Sequence, residues 1–131
     1  HLVLVEEGSG RVIGTLIRRI RETGTLETST DSLLHSLDAF AVWTVQRPVQ
    51  APVHVQPQGT MSATDAVERL TEIRTRTVAA LHEASGLALH SATHPHPVLG
   101  PLSAYQWALF TAHHQRRHVA QMRQLAGPLS A

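Results

Sequence analysis

Residues 103–126 constrain this chain more than any other stretch, because they read as one long, capped, amphipathic helix. Ser103 followed three residues later by Gln106 is a capping-box pattern, and Gly127-Pro128 supplies a stop. Trp107, Leu109, Phe110, Val119, Met122 and Leu125 recur at helical spacing, and His114 and His118 fall on the same broad face. Four residues make slightly more than one turn, so the two imidazoles leave one side of the helix about 6 Å apart along its axis. Ring nitrogens placed in this way can grip one divalent metal if a third ligand arrives from another helix. The same spacing equally suits two partly buried, hydrogen-bonded histidines, so by itself it leaves both readings open. His113 points roughly 100° away and is expected at the surface or rim.

Two more helices are expected. Ser62 and Asp65 open a segment that runs to about Ala84 before Ser85-Gly86; Val67, Leu70, Ile73, Val78 and Leu81 form its apolar stripe, and its charges fit a solvated face. The start of the chain is harder to read, since Leu2-Val3-Leu4-Val5 suits a strand and Gly8, Gly10 and Gly14 weaken a helix. Leu2, Val5, Val12, Leu16 and Ile20 nonetheless share a helical face, and Arg18, Arg19 and Arg21 before Thr23-Gly24 suit a C-terminus, which gives a helix from about Leu2 to Glu22. Between Gly24 and Thr60, Thr30 or Asp31 can cap a short helix through Phe40, after which Pro48, Pro52 and Pro57 impose an extended path. Leu87–Pro101 reads as a second proline-rich connection. These features indicate an all-α fold in a single domain spanning 1–131, with three long helices and two sizeable crossovers, one helix short of a four-helix bundle.

Composition narrows the chemistry. Eleven basic residues face ten acidic ones for a formal charge of +1, which does not suggest the concentrated basic face that a nucleic-acid partner requires. All of the basic residues are Arg, so neither a Schiff-base lysine nor a Walker-type phosphate grip is available. The absence of cysteine removes disulfides, thiolate metal sites and Cys nucleophiles together. No apolar run approaches the ~20 residues of a membrane span, and no signal-peptide pattern is visible, so no membrane partner is expected and the default compartment is the cytoplasm. Because the first residue is His1 rather than Met, the coding sequence is expected to start earlier.

Other constellations are weaker. His90, His94 and His96 form a rival metal cluster, but a proline-rich loop holds side chains less uniformly than a helix, and His96-Pro97 is better read as structural. His35, His54 and His82 have no partner at ligand spacing. Gly8-Ser9-Gly10 with Gly14 is an imperfect dinucleotide fingerprint without the parallel strands that such a fold demands. No Gly-x-Ser-x-Gly elbow accompanies the three aspartates at 31, 38 and 65, so nothing supports a serine triad.

The run from His96-Pro97-Val98-Leu99-Gly100-Pro101-Leu102-Ser103 through Trp107-Ala108-Leu109-Phe110 to His114-Gln115-Arg116-Arg117-His118-Val119-Ala120-Gln121 resembles the C-terminal signature of the DinB-like (YfiT-like) superfamily. The opening His1-Leu2-Val3-Leu4-Val5-Glu6 is similar to that family's second helix, and the likeness extends to about Leu125. It implies a DinB-like four-helix bundle whose first helix has no counterpart in this sequence. It also implies a divalent metal, zinc or nickel, on three histidines, here His1, His114 and His118. A three-histidine site leaves a position open for water or substrate. The resemblance points to a metal-dependent S-transferase using a low-molecular-weight thiol, or to a hydrolase, acting on a small-molecule substrate, with a homodimer as the expected assembly. Arg116 and Arg117 suit an anionic thiol or simply a solvated surface. The competing reading is a non-catalytic metal-binding or stress-response protein with a structural metal.

Overall fold

The computed structural model describes residues 1–28 and 50–127. Among them are three long helices, α1 (Leu2–Thr23), α2 (Ala63–Glu83) and α3 (Ala104–Ala126), with a two-stranded antiparallel sheet of β1 (Thr93–His96) and β2 (Gly100–Ser103) ahead of α3. The all-α reading holds, and all three expected helices form. The short helix expected between Thr30 and Phe40 lies outside the described residues.

Local chemistry sets the helix ends. α1 stops where Gly24 adopts a left-handed conformation (φ 66°) and its N–H reaches back to the carbonyls of Ile20 and Arg21. The Ser62 side chain caps α2 by accepting from the Asp65 N–H. At α3 the capping box is complete: the Gln106 N–H donates to Ser103 Oγ, and the Ser103 N–H donates to Gln106 Oε1.

Helix directions follow from the contacts. Along α1, Glu6 meets Arg74, Gly10 approaches Thr77 and Arg21 reaches the Glu83 carbonyl, so α1 and α2 run parallel. Parallel neighbours require the chain to travel back along the full helix, which is why a long connection separates them. α3 runs antiparallel to α1, its N-terminal Trp107 and Phe110 sharing a core with Ile13, Leu16, Ile17 and Ile20 while its middle meets His1. Ala84, Leu89, Leu102 and Ala104 complete that core. Ile13, Leu16 and Ile20 are essentially inaccessible, each contributing roughly 1.5–3 kcal/mol by burial.

Several expectations change. Leu87–Pro101 is not wholly irregular, because its second half pairs with the approach to α3. Pro95 lies opposite Pro101, a pairing two residues without N–H groups can occupy at a non-hydrogen-bonded position of an antiparallel ladder. Val67 and Val78 are exposed rather than part of the α2 stripe, which buries Ile73 and half-buries Leu70, Ala80 and Leu81. Met122 and Leu125, expected on the same face as the histidines, are also exposed. Gly8-Ser9-Gly10 lies within α1, which removes the dinucleotide reading.

Candidate metal centre

The antiparallel packing of α1 on α3 brings the first residue of the chain to the middle of its last helix. His1 is the N-cap residue of α1, and its Nε2 lies 3.3 Å from Nε2 of His114. His114 Nε2 lies in turn 3.2 Å from His118 Nε2, one turn further along α3. All three residues are half-buried, and one ligand nitrogen from each lies within 4.8 Å of the others.

These spacings suit a metal. An ion about 2.0–2.1 Å from two nitrogens at a tetrahedral angle sets them about 3.3–3.4 Å apart. Without an ion, three Nε2 atoms facing one another satisfy few hydrogen bonds, since a neutral ring can donate from only one nitrogen. The tautomer of His1 follows from its other contact. Nδ1 is 2.8 Å from the Val55 carbonyl, which only accepts, so Nδ1 carries a proton, and in the neutral ring Nε2 then presents a lone pair to the cluster.

Burial keeps the two α3 rings neutral near pH 7. Burial, reinforced by His118, Arg117 and His96, pushes the His114 pKa down to about 4. Burial also lowers His118, assisted by Arg117 and opposed by a hydrogen bond with Gln121. Neutral imidazole is the form that ligates a metal.

Aromatic rings continue from the cluster along α3 toward the hairpin. Phe110 lies one turn before His114, with ring centroids 5.4 Å apart, and His96 packs edge-on against Phe110 at 4.5 Å. His96 is structural in the way its sequence context suggested: its Nδ1 accepts from the N–H groups of Val98 and Leu99 and closes the β1–β2 turn. The Trp107 indole donates to the His94 carbonyl and fixes the hairpin to α3. His90 pairs with Glu27. The rival loop cluster therefore does not assemble, and His1, His114 and His118 are the group of metal-ligating residues brought together among the described residues.

Residues 1–122 match the family model of the DinB superfamily. The chain belongs to the DinB superfamily. The match begins at His1 and includes His114 and His118, so this DinB-superfamily member carries all three clustered histidines within the family region. No curated protein and no solved structure matches the chain.

Some features of the centre had no sequence signal. The Val55 carbonyl is 54 positions from the ring it orients, and a backbone acceptor leaves no residue-type mark. His113 is half-buried and outside the cluster, whereas Arg116 is exposed and Arg117 is half-buried near enough to influence both α3 ligand candidates. Among the described residues no helix is long and apolar enough to cross a membrane.

Proposed function

We propose that this DinB-superfamily protein is a metal-dependent enzyme holding a divalent ion, zinc or nickel, on His1, His114 and His118. The convergence of three Nε2 atoms, with neighbouring pairs 3.3 and 3.2 Å apart, carries the reading. Once bound, such an ion supplies Lewis acidity that lowers the pKa of a coordinated water or thiol.

The chain's own residues prepare this chemistry. The Val55 carbonyl holds the His1 ring in the Nδ1–H tautomer, while burial keeps His114 and His118 unprotonated near neutral pH. Arg117 adds a positive field that favours an anionic reactant such as a thiolate. These features support an S-transferase joining a low-molecular-weight thiol to an electrophilic small molecule, with hydrolysis as the related alternative. We place the protein in the cytoplasm as a homodimer.

A structural metal is the second reading, favoured by the way His1 ties the start of α1 to the middle of α3. Elemental analysis of tag-free protein tests the site itself. About one equivalent of metal is expected in the parent protein and a large loss in His118→Ala; equal contents overturn the site. Thiol-dependent turnover in a screen of electrophiles separates the enzyme from the structural reading, which predicts metal without turnover.

A further inference from the structure

The orientation of His1 depends on a short segment distant in sequence. Val53–Val55 form a single 3₁₀ turn entered from Pro52, and none of its residues is buried. Val55 and Gln56 are only half-buried, so apolar packing alone does not fix the turn. Its order rests on hydrogen bonds: the Val55 N–H donates to the Pro52 carbonyl at 3.0 Å and the Gln56 N–H to the Val53 carbonyl at 3.2 Å. The Gln56 side chain adds a third, folding back so that Nε2 donates to the Ala51 carbonyl at 2.8 Å. This bond spans the turn from the residue before Pro52 to the residue after Val55. It closes the two ends on each other, with the Val55 carbonyl between them.

We propose that Gln56 is a positioning residue for the metal centre: by clamping the 51–56 turn it aims the Val55 carbonyl at His1 Nδ1 and holds His1 Nε2 toward His114 and His118. The inference rests on the metal-site reading for its purpose, but its first consequence, the tautomer of His1, exists without metal. Partners that orient a ligand ring through its second nitrogen typically change metal affinity 10–100-fold when lost.

The test compares the parent protein with Gln56→Ala and with the near-isosteric Gln56→Glu, which removes the donor. Long-range ¹⁵N–¹H NMR of the histidine rings, in EDTA-treated protein at about pH 8, reads the tautomer, with His1 assigned from a His1→Gln sample. The expected result is a predominantly Nδ1–H ring in the parent, a tautomer mixture in both variants, and about a 10–100-fold loss of zinc affinity in chelator competition. Thermal midpoints of the metal-free proteins are expected to stay within a few degrees of one another, because the Gln56 side chain is only half-buried and its loss removes a single hydrogen bond. An unchanged His1 tautomer in both variants overturns the proposal, as does an altered tautomer with unchanged zinc affinity. If the parent protein binds no zinc, the metal reading and the purpose assigned to Gln56 fall together, and the tautomer comparison still decides whether Gln56 orients His1.

Discussion

Nε2 of His1 and Nε2 of His114 lie 3.3 Å apart although 113 positions separate them in the chain. Between neutral rings such a contact is at best one hydrogen bond, whereas a metal would use both lone pairs. Replacing any one of the three histidines by Gln is therefore expected to lower zinc or nickel affinity by more than the 10–100-fold typical of losing a supporting partner. Calorimetric titration of each variant checks this. Affinity within a few-fold of the parent in His114→Gln removes the proposed centre, because His114 contacts both other rings.

Titration of the same histidines gives the metal-free protein a defined pH response. His114 has a folded-state pKa of about 4 against an ordinary value of 6.5, so between these values the unfolded chain binds more protons than the folded one. Stability is consequently complete above about pH 6.5 and declines progressively as pH falls toward 4. The lowered pKa values of His118 and His96 act in the same direction. Urea midpoints of EDTA-treated protein should rise between about pH 4.5 and 6.5 and level above it, with a shallower rise in His114→Gln. A flat profile across that interval contradicts the burial assigned to these rings.

The fold was largely legible because helix signals are local. The Ser103–Gln106 box, the Gly24 stop and the Ser62 cap each act within a few residues, and each is made as its spacing indicates. What depended on distant partners was not legible. Val67 and Val78 match the helical period as well as Ile73 does, yet only Ile73 meets a neighbouring helix closely enough to be buried. The hairpin was hidden because proline-rich sequence argues against strands, and only the opposition of Pro95 to Pro101 removes that objection. At the site, the α3 pair could be read from its spacing. His1 entered through a family likeness, and its orienting carbonyl had no signature at all.

The Glu6–Arg74 pair makes a separate prediction about stability. The Glu6 side chain is only 6% exposed, and Arg74 Nη2 and Nε approach its Oε1 at 2.6 and 2.9 Å. Arg74→Ala leaves a buried carboxylate without its counter-charge. The expected loss is about 2 kcal/mol, below the 3–5 kcal/mol of a fully buried pair because Arg74 is itself 43% exposed. Adding Glu6→Leu to Arg74→Ala should recover much of the loss, since an apolar side chain requires no partner. Chemical denaturation of the two single variants and the double variant measures the coupling. Additive losses would mean that the carboxylate remains solvated.

The three α1 glycines that obscured the helix in the sequence have different reasons for being there. A Cβ built on Gly8 or Gly14 meets nothing within 4 Å, so alanine at either site should stabilise α1 by roughly 0.5–1 kcal/mol through helix propensity alone. A Cβ on Gly10 falls 2.9 Å from Thr77 Oγ1, which donates to the Ile73 carbonyl at 3.0 Å. Thr77 is short and branched, so relieving the clash means rotating the hydroxyl out of that bond or moving α2 away from α1. Gly10→Ala should therefore lose its propensity gain and fall below the parent by about 1 kcal/mol. Combining it with Thr77→Ala, which removes the obstructing oxygen, should recover most of that loss. Thermal denaturation of Gly8→Ala, Gly10→Ala, Gly14→Ala and the double variant tests the set. Equal stabilisation at all three glycines would show that α1 and α2 are further apart at Gly10 than the 2.9 Å approach requires.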